Sequence, residues 1–104
     1  MPILTNVKCN KTIDQIQNSM ELFDGFDKVY LFGSVLEEES IPNDVDILLI
    51  YSEYSYSIIE QINNIKTTLE KSLDLSVDLT VLSVEEVLET QFLKKISKRC
   101  LSLK

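Results

Sequence analysis

The run Val45-Asp46-Ile47-Leu48-Leu49-Ile50-Tyr51, opened by Asp44, constrains the fold more than any other stretch. Apart from its leading acids it is continuously apolar, the pattern of a strand buried on both faces. It falls far short of the roughly 20 residues that cross a bilayer, as does every other apolar run in the chain. A central strand with layers on either side is the remaining solution. Lys28-Val29-Tyr30-Leu31-Phe32 reads as a strand before it, ended by Gly33-Ser34. Leu75 to Leu82 reads as a third, in which Val77, Leu79 and Val81 alternate with Asp78 and Thr80.

Helical patterns fill the intervals. Residues 1–10 read as an irregular lead-in. Thr12 with Gln15 fits a capping box, followed by Ile13, Ile16, Met20 and Phe23 at helical spacing, with Gly25 as a left-handed stop. Val35 to Glu39 reads as a short helix, and Ile41-Pro42-Asn43 as extended or turn-like. Ser57 with Glu60 opens a second long helix, striped by Ile58, Ile62, Ile65, Leu69 and Leu73. Ser83 with Glu86 opens the last, with Val84, Val87, Leu88, Phe92, Ile96 and Cys100 sharing one face. Its basic end (Lys94, Lys95, Lys98, Arg99) suits the helix dipole and reads as a solvated terminus, with a partner contact as the alternative. The expected fold is α/β (α+β), a three-stranded sheet flanked by helices. Its 104 residues form one domain, 1–104.

Alternate residues of a strand point the same way, so Asp44 and Asp46 project from one face. Paired carboxylates repel, and a divalent cation, magnesium above all, relieves that repulsion. Asp44 alone also fits a turn, because Pro-Asn-Asp is good turn chemistry. Asp46 is harder to read that way, since an acid inside an apolar strand is costly to bury without a partner. Gly33-Ser34 offers backbone N–H groups and a hydroxyl to phosphate oxygens. Asp27 and Asp74 read as loop or strand-edge residues. Tyr51, Tyr54 and Tyr56 read as a rim of surface aromatics, with base stacking as the alternative.

Composition narrows the chemistry. With 44% hydrophobic and 26% charged residues the chain reads as an ordinary globular protein. A net charge of −7 opposes direct binding to nucleic acid and leaves anionic nucleotides only to a metal-screened site. The absence of His removes imidazole acid–base catalysis and Ser-His triads. Cys9 and Cys100 are too few and too far apart for a zinc site, and read as reduced thiols of a cytoplasmic protein.

In this order of elements the chain resembles the minimal nucleotidyltransferases of the DNA polymerase beta superfamily, the MNT domains of MNT/HEPN toxin–antitoxin pairs. The resemblance rests on a strand, Gly33-Ser34, nine intervening residues, Asp44-Val45-Asp46 on the next strand and Asp78 on a later one. It implies that Gly33 and Ser34 hold the triphosphate of a nucleoside triphosphate, ATP above all. It implies that Asp44, Asp46 and Asp78 are the catalytic residues and bind Mg2+, in a two-metal transfer of NMP to an acceptor hydroxyl. It further implies a HEPN-type toxin as partner, to which the short apolar runs and the acidic charge add the expectation of no membrane and no direct nucleic acid. The sequence departs from the family where Val35-Leu36-Glu37-Glu38-Glu39 replaces a segment that commonly carries Arg, and where Asn43 replaces a Ser. These acids support the alternative, a weakly active or inactive antitoxin that neutralises its partner by occlusion.

Overall fold

A computed structural model describes residues 7–33, 44–96 and 100–104, with side chains from residue 12 onward. In chain order these form helix α1 (Val7–Gln17), a 3-10 turn (Met20–Phe23), strands β1 (Lys28–Phe32) and β2 (Asp44–Tyr51), helix α2 (Tyr56–Leu73), strand β3 (Ser76–Ser83), helices α3 (Val84–Thr90) and α4 (Phe92–Ile96), and strand β4 (Cys100–Ser102). The sheet order is β3-β2-β1-β4. β1 lies antiparallel to both β2 and β4, while β2 and β3 run parallel, so the sheet is mixed. Segments 34–40 and 41–43, with the expected short helix and turn, lie outside the described residues, as do Lys98 and Arg99.

The sheet has four strands where the sequence pattern suggests three. Cys100, expected on the last helix, sits instead in β4, where Phe32, Leu31 and Tyr30 pair with Cys100, Leu101 and Ser102. The cause is Gln91, whose φ of 54° breaks the helix after Thr90 and redirects α4. Phe92, Leu93 and Ile96 then turn onto the sheet while Leu88 faces water. Cys100 is a half-buried free thiol.

Other terminal signals divide. The Ser83–Glu86 capping box forms, with the Glu86 N–H donating to Ser83 Oγ at 3.1 Å and the Ser83 N–H donating to Glu86 Oε1 at 2.9 Å. The N-cap position of helix α2 is Ser55 rather than Ser57, with no side-chain cap bond, and the two hydroxyls bond each other at 2.7 Å. Helix α1 begins five residues before Thr12, which lies buried within it, and ends at Gln17, well before Gly25. Gly25 is no left-handed stop. Its N–H donates to Gln61 Oε1 at 3.0 Å, pinning this loop to α2.

Both faces of β2 are buried, as its composition requires, but by unequal layers. Val45, Ile47 and Leu49 face a core of Ile16, Phe23, Phe26, Ile58, Ile65 and Leu69, completed by Val29, Leu31 and Val77. Leu48 and Ile50 face a smaller cluster built on Val87, with Tyr30, Phe32, Leu82, Phe92, Leu93 and Ile96. Phe32 and Phe92 meet edge to face, 5.7 Å between centroids, a geometry the aromatic quadrupole favours. On its own face of β2 this second layer leaves Asp44 and Asp46 only half-covered.

Candidate active site

Asp44 and Asp46 occupy the same face of β2 as Leu48 and Ile50, at the end the second layer leaves half-covered. Asp78 is the Cα partner of Asp46 in the parallel β2–β3 register, and Asp44 is the partner of Ser76. Directly paired residues of neighbouring strands project to the same side. All three carboxylates therefore share one face of the sheet. Asp44 and Asp46 are half-buried and Asp78 is exposed.

The electrostatics follow from this placement. The Asp46 carboxyl is pushed above the ordinary carboxylate range, first by burial and then by the negative charges of Asp44 and Asp78. Gly33 explains how Asp46 is accommodated. Its φ is +86°, a left-handed conformation, and a Cβ placed there would stand 2.5 Å from Asp46 Oδ2. The carboxylate thus lies against the bare Cα of Gly33. Ser34 lies outside the described residues.

Among the described residues no three acidic or thiol groups converge into a ready-made metal cage. That does not contradict the register. Magnesium is commonly held by one or two carboxylates, with water and substrate phosphate filling its other positions. A half-buried carboxylate pressed by two neighbouring acids is a donor set that fits such an open site. An open cavity of about 450 Å³ lined by Glu70, Asp74, Leu75 and Ser76 lies around the entry to β3. Glu70 is committed there, accepting the Val77 N–H at 2.8 Å.

Two side-chain placements differ from a plain reading of the sequence. Tyr51, Tyr54 and Tyr56 lie at and beyond the opposite end of β2, so base stacking beside the carboxylates does not fall to them. Phe32, which the motif leaves unmarked, is the Cα partner of Asp46 on β1 and borders the acids on their own face. The alternation of Tyr30 and Phe32 along β1 is the signal that could have found it.

Comparison with known proteins bears on the family and the fold. A family model described as Polymerase beta, Nucleotidyltransferase matches residues 14–101. No curated protein matches the chain. The fold is similar to an MNT antitoxin solved in complex with a tri-AMPylated HEPN toxin from Shewanella oneidensis, at 20% identity and a TM-score of 0.53, over 94% of this chain and 70% of that one. It is also similar to a toxin–antitoxin complex with AMP-PNP, at 20% identity and a TM-score of 0.58, over 90% of this chain and 71% of that one. At such identities the likeness is one of fold.

Proposed function

This chain belongs to the polymerase beta nucleotidyltransferase family, and on that premise we propose that it transfers AMP from ATP, with Mg2+, to a hydroxyl on a partner protein, a HEPN-type toxin. The observation that carries the reading is the pairing of Asp46 with Asp78 across parallel strands, with Asp44 two residues away on the same face. The fold it shares with the AMP-PNP complex and with the antitoxin of the tri-AMPylated toxin supports ATP as donor and a protein as acceptor.

Asp44 and Asp46 would hold the metal against the triphosphate, and Asp78 would complete the site on the acceptor side. The bound metal supplies neutralisation of phosphate charge and a lowered acceptor pKa. Gly33 and Ser34 would position the triphosphate through backbone N–H groups and a hydroxyl. The acceptor oxygen attacks the α-phosphorus, the bond to the β-bridging oxygen breaks, and pyrophosphate leaves. Asp78 takes the acceptor proton. A chain without His can run this chemistry because little beyond the carboxylates is asked of it.

A second reading, neutralisation by occlusion, is favoured by one feature: Glu37, Glu38 and Glu39 stand where the family commonly carries a cation. Incubation with α-labelled ATP, Mg2+ and the product of the neighbouring gene separates the two. Label on the partner that falls at least about a hundredfold in Asp44→Ala and Asp46→Ala supports transfer, in line with losses at charge-stabilising groups. Neutralisation that survives both substitutions, with no label moved, supports occlusion.

A further inference from the structure

β3 is the outermost strand of its side of the sheet, paired with β2 alone among the described residues. Half of the N–H groups of such an edge strand point away from any neighbour. The N–H of Val77 donates instead to Glu70 Oε2 on α2, at 2.8 Å. Glu70 holds the chain at a second point, because its own carbonyl accepts the Asp74 N–H at 3.0 Å. One residue thus grips both sides of Asp74-Leu75, the link that joins α2 to β3. Asp74 makes the reversal in a left-handed conformation, with φ 56°.

This grip has a register to decide. Leu75, Val77, Leu79 and Val81 alternate along the segment, so a period of two settles which face is apolar. It does not settle the register, because a slip of two residues would put another apolar side chain in the place of Val77. Of the four, only Val77 is fully buried. The same slip would carry Asp78 about 6.6 Å along the sheet, two steps of about 3.3 Å, to stand opposite Asp44 or Leu48 instead of Asp46. Helix α2 is itself fixed, since Ile58, Ile65 and Leu69 are buried in the core that holds Val45, Ile47 and Leu49 of β2. The bond from Glu70 therefore measures β3 against β2. At the other end of the strand Glu86 accepts the Ser83 N–H, but it follows in the same segment and moves with it. The anchor there is α3, which buries Val87 alone.

We propose that Glu70 is a positioning residue for the carboxylate site: by holding the Val77 N–H it sets the register in which Asp78 stands opposite Asp46. Without it a buried residue's N–H would lose its acceptor, which is costly enough to free the start of β3. Glu70 sits on the layer that covers the face opposite the three carboxylates, so it acts only through the strand that carries Asp78. The catalytic half of this inference rests on the reading of Asp78 as a metal and acceptor-side residue, and the register half does not.

The test compares Glu70→Gln, which keeps an acceptor oxygen, with Glu70→Ala, which does not. Nuclear Overhauser contacts between residues 46 and 78, with hydrogen exchange at the Val77 amide, report the register without any metal. Titration with Mg2+ alone, followed by the carboxyl 13C signals of Asp44, Asp46 and Asp78, reports the site. The wild type and Glu70→Gln should keep the 46–78 contact, and all three carboxyl signals should move together. In Glu70→Ala the contact should vanish and the Val77 amide should exchange at least about tenfold faster. Its Asp78 signal should stay still while those of Asp44 and Asp46 move. The amides of Val45, Ile47 and Leu49 should keep their protection throughout, which a general loss of stability would not allow. With α-labelled ATP and the partner, Glu70→Ala should lose at least about tenfold in kcat with KM for ATP unchanged. The proposal is overturned if Glu70→Ala keeps the contact and the Val77 protection, if protection falls evenly across β2 and β3, or if Glu70→Gln behaves like Glu70→Ala. Wild-type carboxyl signals that ignore Mg2+ would overturn the catalytic half together with the reading beneath it, while contact and exchange still decide the register.

Discussion

The two faces of β2 invite comparison. On one, Val45, Ile47 and Leu49 are wholly excluded from water by the helices α1 and α2 and the turn between β1 and α1. On the other, Leu48 and Ile50 are buried under α3 and α4, while Asp44 and Asp46 remain half-open to solvent. The difference shows how eight residues can both hold a domain together and present charge. Each fully buried aliphatic side chain contributes about 1.5–3 kcal/mol, so three on one face anchor the strand without help from its first acidic positions. The opposite face is then free to give up two positions to function, at the end its helices leave half-covered.

The largest effect expected from this contrast is on stability. Ile47→Ala should cost about 3 kcal/mol, within the range for emptied core positions, and lower Tm by roughly 12–20 °C for a domain of this size. Leu48→Ala should cost nearer 2 kcal/mol because the smaller cluster can collapse onto the gap. Thermal melts that reverse the two would break the comparison. Gly33→Ala comes next, at about 2 kcal/mol, because alanine is strained at positive φ and its Cβ would displace the Asp46 carboxylate. A double-mutant cycle sharpens this. In an Asp46→Ala background the glycine substitution should cost less by about 1 kcal/mol, since the clash is gone. Equal costs in the two backgrounds would mean that Gly33 answers to backbone conformation alone.

The smallest effect has the opposite sign. Because the folded chain raises the Asp46 pKa, it holds that proton more tightly than the unfolded chain does. The group's contribution is fully present below its ordinary range of about 4 and is lost as pH rises through the raised value. Asp46→Asn should therefore match the wild type near pH 3 and exceed it at pH 7, by no more than about 0.5 kcal/mol at so open a site. Magnesium should stabilise the wild type and not this variant, because only a ligand that binds the folded state raises Tm. A destabilised Asn variant at pH 7 without metal would show that the carboxylate is structurally paired.

Much of the fold is legible locally. β1 runs over the five residues its pattern marks, β2 begins at the acids that open its run, and the α2 stripe of Ile58, Ile65 and Leu69 is buried. The Ser83 box works because cap and helix are three residues apart and need nothing else. What failed to show was set at longer range. Thr12 and Ser57 carry capping chemistry, yet the helices they occupy start elsewhere, because packing rather than a cap decides where a turn is worth forming. Nothing in the residues around Gln91 announces a left-handed break, so β4 was hidden inside an apparent helical stripe.

The sequence by itself determined the spacing of Asp44 and Asp46, their common face, and a strand apolar enough to need cover on both sides. These follow from a period of two and from water's exclusion of apolar surface, which operate within a single segment. Only the tertiary structure decided that Asp78 stands opposite Asp46, that Gly33 yields its missing Cβ to that carboxylate, and that Tyr56 and Leu88 are left facing solvent. Register, close approach and exposure are relations between segments far apart in the chain, and a one-residue slip of β3 would have turned Asp78 to the other face.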